Sequence, residues 1–186
     1  MTRILDIIFS LFLFFIFIIP ILIISILIFI YSPGSVLFWS SRIGRDNIIF
    51  NMPKFRTMKL NTPDVATHLL EDSSKYITKI GFFLRKKSLD ELPQLWSIFI
   101  GDMTFIGPRP ALYNQNDLID LRTKYGINKL KPGITGLAQI SGRDTLTVKD
   151  KVDFDLKYLN EKSLTLNIKI IYLTLLKVLR NEGIKH

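Results

Sequence analysis

Asp90 and Glu91 form the only Asp-Glu dipeptide in the chain, and cations crowd it. Arg85, Lys86 and Lys87 precede the pair, and Arg109 follows inside Gly107-Pro-Arg-Pro110. A carboxylate among cations suits attack on a phosphorus centre whose own charge those cations neutralise. Ser88 and Glu91 also have the S-x-x-E spacing of a capping box. Pro93 is comfortable only in the first turn of a helix, which leaves Asp90 as an alternative cap. In both arrangements a carboxylate sits at a helix N-terminus, where free amides and the dipole favour its ionised form. A plain helix cap beside a basic surface run explains the spacing equally well.

Three further stretches carry polar groups suited to an anion. The prolines flanking Arg109 fix its backbone and present a guanidinium at low entropic cost. Lys54-Phe-Arg-Thr-Met58 alternates cation and apolar residue, as a half-exposed strand with its basic face outward would. Charges of that kind also protect an ordinary edge strand. Lys131 to Arg143 holds Gly133, Gly136 and Gly142 together with Gln139, and such a loop approaches phosphate or uracil closely through its backbone. Its spacing fits neither a P-loop nor a dinucleotide fingerprint. His68 has no Cys, second His or acid cluster near it and reads as solvated.

The elements that must position these groups are mostly helical, with few short strands. Val36–Trp39 and Ile48–Phe50 read as strands around a hairpin at residues 42–47, with Trp39 either an interfacial anchor or a core residue. Tyr76–Arg85 predicts a short amphipathic helix that delivers Arg85 to Asp90. Leu92, Leu95, Trp96 and Phe99 follow i, i+3, i+4, i+7, one apolar stripe facing a core or a bilayer interface. Asn114–Lys124 predicts a helix that is polar on one face, and Lys149–Glu161 a charged helix with a solvated face. Ser163–Arg180 is an apolar helix whose only charges are Lys169, Lys177 and Arg180. It suits a helix in the interface with its cations snorkelling to head groups, or a buried core helix.

From Ile7 to Tyr31 there is no charge at all. As one straight helix this run reaches roughly 37 Å, beyond the ~30 Å hydrocarbon core. It is too long for a signal-peptide core and lacks a cleavage pattern. Pro20 removes a helical hydrogen bond near the middle, leaving halves too short to cross singly. A kinked spanning helix and a re-entrant hairpin both remain open, with Ser10 or Ser25 as partners for the broken backbone. Asp6 at the membrane edge is expected to be solvated, or else paired with Arg3 or a domain cation. Arg42, Arg45, Lys54, Arg56 and Lys59 mark the C-terminal side as cytoplasmic. The division is a membrane segment over residues 1–32 and a domain over 33–186.

The 186 residues include 25 Lys and Arg against 16 Asp and Glu, a formal charge of +9. That balance predicts an anionic partner: phosphorylated lipid, anionic membrane, sugar nucleotide or nucleic acid. The absence of cysteine excludes a disulfide framework, a thiolate metal site and a thiol nucleophile.

Taken in order, these motifs resemble the small monotopic phosphoglycosyl transferases, the bacterial sugar transferases that start glycan assembly on a lipid carrier. The matching residues are Arg3, Asp6, Pro20, Gly34 to Gly44, Lys54-Phe-Arg-Thr-Met58, Arg85 and Ser88-Leu-Asp-Glu-Leu-Pro-Gln-Leu95. Gly101-Asp-Met103, Gly107-Pro-Arg-Pro110, Pro132-Gly-Ile-Thr-Gly136 and Gly142-Arg143 complete them. The chain departs from the pattern at Ile19-Pro20, where Ser-Pro is usual, and at Ser35 and Ser40 in the first hairpin.

The resemblance implies an α/β fold: a re-entrant membrane helix and interfacial amphipathic helices around a compact cytosolic core. It implies a bacterial inner-membrane protein facing the cytoplasm, with a UDP-sugar, a polyprenyl phosphate and the bilayer as partners, Mg²⁺ as cofactor and no nucleic acid. Asp90 would be the nucleophile. Glu91 would assist by proton transfer or join Asp90 in holding Mg²⁺. Arg85 and Arg109, with Lys54 and Arg56, would hold phosphates, and Gln139 to Arg143 would contact the nucleotide. The rival from another class is a membrane-tethered basic module that binds anionic lipid or nucleic acid without chemistry.

Overall fold

The computed structural model describes residues 3–60, 62, 75–142 and 145–180. His68 and Arg143 therefore lie outside the described residues.

The apolar run forms one long helix, α1 (Arg3–Tyr31), continuous through Pro20. Among the described residues it alone is long and apolar enough to cross a membrane. Most of its surface is exposed, but Asp6, Ser10, Ile24 and Ile28 are buried. Ser10 and Ser25 donate within their own turns, to the carbonyls of Ile7 and Ile21. Neither serves Ile16, the carbonyl that Pro20 lacks a donor for.

Both ends of α1 are tied to the same body. Asp6 is not solvated: its carboxylate accepts from Thr104 Oγ1 at 2.9 Å, and the residue is 3 % exposed. Arg3 donates to the carbonyls of Ile98 (2.6 Å) and Phe99, so it caps another helix instead of pairing with Asp6. At the far end Arg56 donates to the carbonyl and hydroxyl of Ser32.

The expected hairpin is present and longer than predicted. β1 (Leu37–Ile43) pairs antiparallel with β2 (Ile49–Phe55), from Leu37↔Phe55 to Ile43↔Ile49. Asp46 and Asn47 make the reversal at φ 56° and 62°, a region their short polar side chains tolerate. Trp39 is exposed. α2 (Lys79–Lys86) starts where Thr78 accepts from the Gly81 amide at 2.9 Å. Ile24, Ile28, Phe55 and Leu84 then join α1, β2 and α2 in one apolar cluster.

α3 (Gln94–Ile100) buries Gln94, Leu95, Ser97 and Ile98, while Trp96 and Ile100 face outward. The predicted stripe is therefore rotated: Ile98 packs with Met52 and Met103, with Phe50, Phe105 and Ile134 against them. α3 ends at Gly101, whose φ of 102° suits glycine.

β3 (Thr104–Ile106) runs parallel to β4 (Gly133–Thr135), paired Thr104↔Gly133 and Ile106↔Thr135. Parallel pairing requires a crossover, and α4 (Asn116–Lys124) lies within it. Gly107, Gly133 and Gly136 interlock here. A Cβ on Gly133 would sit 2.1 Å from the Gly107 amide, and one on Gly136 the same distance from the Gly107 carbonyl. At both positions the glycine admits neighbouring backbone, so the close approach expected for a ligand is used by the fold itself.

Three helices close the structure: α5 (Leu137–Ser141), α6 (Val148–Glu161) and α7 (Leu164–Arg180). α6 opens with a reciprocal capping box between Thr147 and Asp150. Its expected solvated face is present at Lys149, Asp153, Lys157 and Asn160, while Val152, Asp155 and Tyr158 are buried on the other face. Tyr158 donates to Asn167 of α7 at 3.0 Å, and Ile106, Tyr158 and Ile170 form their common core. α7 buries only Asn167 and Ile170 and leaves Leu164, Ile168, Tyr172, Leu175 and Leu179 exposed.

Candidate active site

Asp90 and Glu91 lie in a single 3₁₀ turn, Leu89–Glu91, between α2 and α3. Ser88 turns the chain at φ 54° and its side chain caps nothing. The capping box is absent because Glu91 points to cations instead. Lys54 Nζ is 3.0 Å from Glu91 Oε1, and Arg109 Nη2 is 3.5 Å from the same oxygen. Asp90 accepts no hydrogen bond among the described residues, although it is only 9 % exposed. Lys54, Arg85 and Arg109 all act on it through their charge.

The electrostatics run against the expectation of a carboxylate kept ionised by a helix N-terminus. α3 begins only at Gln94, and Pro93 before it makes no side-chain cap bond. Burial is the largest influence on Asp90 and pushes its carboxyl above the ordinary 3.8; the charge of Glu91 adds to this, and the three cations oppose it. Burial likewise pushes Lys54 below the ordinary lysine range, with Glu91 pulling it back. Each charge is held at the expense of the other's solvation, as expected of a site poised for chemistry.

Each cation arrives on a different element. β2 carries Lys54, and its side chain turns inward, contrary to the outward basic face read from the alternation. α2 ends with Arg85, whose Nε donates to Thr57 Oγ1 at 2.8 Å. Arg109 follows β3, and its carbonyl accepts from Arg122 Nη1 of α4 at 2.8 Å. Arg122 is in turn gripped by Asp155 of α6, 2.6 Å away and buried. Arg56 is not part of this cluster. It is buried at the end of α1, where its Nε and Nη1 have no hydrogen-bond partner.

Gln139 lies on α5 with both side-chain polar atoms buried and without a hydrogen-bond partner among the described residues. It faces, with Glu91 and Arg109, a cavity of about 450 Å³ whose remaining walls are largely apolar.

Thr57, Arg122 and Asp155 were not singled out by sequence reasoning. A signal existed for Asp155: Val152, Leu156 and Leu159 mark an apolar face, and Asp155 lies on its border. Arg122 offered none, since a basic residue near a helix C-terminus is ordinary.

The arrangement suits Mg²⁺ as far as it goes. Mg²⁺ typically takes one or two carboxylates and fills its remaining positions with water and substrate phosphate. Asp90 and Glu91 are two adjacent carboxylates, and their mutual repulsion, which raises Asp90, is what a cation would relieve. Among the described residues no larger acidic or histidine cluster exists.

Comparison with known proteins gives a consistent result. The family described as bacterial sugar transferase matches residues 1–181. The chain is 41 % identical over 165 residues to a galactosyl transferase, CpsE, of Streptococcus agalactiae serotype III, covering 82 % of this chain and 36 % of that protein. It is 41 % identical over 159 residues to the UDP-glucose:undecaprenyl-phosphate glucose-1-phosphate transferase of Escherichia coli K12, covering 82 % and 34 %. It is also 41 % identical over 152 residues to the uncharacterized sugar transferase EpsL of Bacillus subtilis 168, covering 81 % of this chain and 73 % of that one. The chain thus spans about a third of the length of the first two relatives and most of the third.

Proposed function

Because the chain belongs to the bacterial sugar transferase family, we propose that it transfers a sugar 1-phosphate from a UDP-sugar to a polyprenyl phosphate at the cytoplasmic face of the membrane. The observation that carries this reading is Asp90: a nearly buried carboxylate that accepts no hydrogen bond among the described residues, surrounded by Lys54, Arg85 and Arg109. A binding module gains nothing from such a group, because it weakens anion attraction.

In the first step a carboxylate oxygen of Asp90 attacks the sugar-bearing phosphorus of the UDP-sugar. The bond from that phosphorus to the bridging oxygen breaks, and UMP leaves with the electron pair. In the second step a phosphate oxygen of the polyprenyl phosphate attacks the same phosphorus and expels the Asp90 carboxylate. The product is a polyprenyl diphosphate sugar. Two in-line displacements explain a carboxylate that is nucleophile and then leaving group. Arg109 and Arg85 neutralise phosphate oxygens, and Lys54 holds Glu91 beside the nucleophile. Bound Mg²⁺, held by Asp90 and Glu91, would add neutralising charge on the diphosphate.

The membrane path belongs to the same reading. Arg3 and Asp6 at one end of α1 and Ser32 just past the other bond to groups of one body. That supports a re-entrant segment whose two ends stay on the cytoplasmic side. On that path Asp90 would stand near the membrane surface, where the phosphate of the lipid acceptor lies.

The test is release of UMP from a panel of UDP-sugars by the protein in detergent or nanodiscs, with undecaprenyl phosphate and Mg²⁺. One sugar nucleotide is expected to give UMP and a lipid-linked sugar diphosphate. Lipid binding with no UMP from any donor would replace this reading with the non-catalytic module.

A further inference from the structure

The cavity beside the carboxylates has a composition that no sugar nucleotide explains. One wall is α1, through Phe9, Leu13 and Phe17, and the opposite wall is α7, through Ile171, Leu175 and Val178. Leu92 and Leu95 also line it, together with Ile134 of β4. Its polar lining is Glu91, Arg109, Gln139 and Lys177 with the hydroxyls of Ser88, Thr135 and Thr174. A UDP-sugar is polar along its whole length, and burying it against such walls would strand its hydroxyls without partners.

Two independent features point to an occupant. Both polar atoms of the Gln139 side chain are buried without a partner among the described residues, an arrangement that persists at a cost unless a ligand supplies the missing bonds. Arg109 at the same end, and Lys177 on α7, make that lining complementary to a phosphate. An amphiphile fits this lining, with an anionic head at Arg109 and Gln139 and a hydrocarbon tail between the two helices. α1 and α7 are also the two helices whose outer faces are most apolar, so the cavity is walled by the elements best suited to lipid.

Resting on the function proposed above, we infer that this cavity seats the isoprenoid chain of the acceptor, namely the units next to its phosphate. Packing between α1 and α7 then selects the lipid, while the donor sugar nucleotide reaches Asp90 without using the cavity. The amide of Gln139 contacts the acceptor phosphate.

The two half-reactions test this separately from the function itself. Leu13→Trp and Ile171→Trp fill the cavity from opposite walls. Each is expected to raise KM for undecaprenyl phosphate about tenfold or more, the scale on which an apolar pocket discriminates. Single-turnover release of UMP without lipid should stay at the wild-type rate, which also reports an intact fold. Phe15→Trp, on the outward face of α1, should change neither. If the filled variants slow UMP release as much as they slow lipid transfer, the cavity serves the donor and the inference fails. Unchanged KM for the lipid in both variants would overturn it as well, leaving the transferase reading standing. On wild-type protein, a polyprenyl phosphate with a diazirine in its first isoprene unit should crosslink to the cavity-lining Phe9, Leu13, Phe17, Ile171, Leu175 and Val178. Crosslinks spread evenly over outward residues such as Phe15 and Ile19 would mean that the bilayer alone holds the chain. A protein that releases no UMP from any donor, with wild-type crosslinks still confined to the cavity, would sink the transferase reading and keep the lipid seat.

Discussion

Burial and the charge of Glu91 both lift the Asp90 carboxyl above 3.8, against the pull of Lys54, Arg85 and Arg109. A carboxyl raised on folding holds its proton more tightly in the native state than in the unfolded chain. Its ionisation therefore costs stability as pH rises from the ordinary carboxylate range through the raised value. Asp90→Asn removes that cost together with the nucleophile. The variant is expected to melt above wild type at neutral pH, with the gap closing as pH falls below the unfolded value, while turnover disappears. Turnover within about tenfold of wild type, about 1.4 kcal/mol of barrier, would end the case for covalent catalysis by Asp90. The same shifts predict a narrow bell in the pH profile. Activity should be lost on the acid side earlier than an ordinary aspartate would require, and on the alkaline side as buried Lys54 gives up its proton. Lys54→Arg keeps the charge and cannot deprotonate in this range, so the alkaline limb should move out in whatever activity remains. An unmoved limb would assign it to another group. Asp90 was legible from sequence because composition and spacing single out a carboxylate among cations. The direction of its ionisation was not, because that depends on burial, which spacing does not encode.

At the level of elements, the β1–β2 hairpin and most helices were legible from periodicity, the short strands β3 and β4 were not, and the misplaced charges share one physical cause. Lys54, Arg56, Asp6 and Asp155 were all read toward solvent, yet each is turned inward. A charge faces inward when a partner from a distant element compensates it, and sequence distance hides such partners. The most consequential case is the pair of Arg122 on α4 and Asp155 on α6, which holds the Arg109 carbonyl and so sets where that guanidinium stands. Removing one member of a buried pair commonly costs about 3–5 kcal/mol. Asp155→Ala is expected to fall in that range. Asp155→Asn keeps an acceptor and should lose less, yet it should still lower kcat/KM well below its melting temperature, because Arg109 is no longer fixed. Normal kcat/KM in a folded Asn variant would confine the pair to stability. The glycines of Pro132-Gly-Ile-Thr-Gly136 make the same point from the other side. Their pattern was plain, but Gly133 and Gly136 make room for the Gly107 backbone, a contact that only the parallel β3–β4 pairing creates.

For the whole molecule, the decisive relation is between α1 and the body. Composition left two paths for the apolar run, and the structure adds a constraint that composition lacks: its two ends make different bonds to one scaffold. Arg3 caps α3, Asp6 receives Thr104, and Ser32 receives Arg56. These are polar contacts, made by a charged residue at each end and buried in part, so a path that carried Arg3 across the bilayer would forfeit all the bonds at the N-terminal end. Translocating Arg3 and Asp6 would also set two charges against the hydrocarbon core. A re-entrant path keeps them bonded to Thr104 and the α3 carbonyls. Because the chain has no cysteine, Thr2→Cys supplies a unique reporter. In right-side-out cells a membrane-impermeant maleimide is expected to leave this residue unlabelled until the membrane is opened. Labelling from outside the intact cell would establish a spanning helix. Breaking the N-terminal anchor supplies the complementary arm, for if Asp6 and Arg3 hold the end of α1 in place, Asp6→Ala with Arg3→Ala should raise labelling from the outside above the level of Thr2→Cys alone. A double variant as protected as its parent would show that the position of the N-terminus does not depend on these bonds.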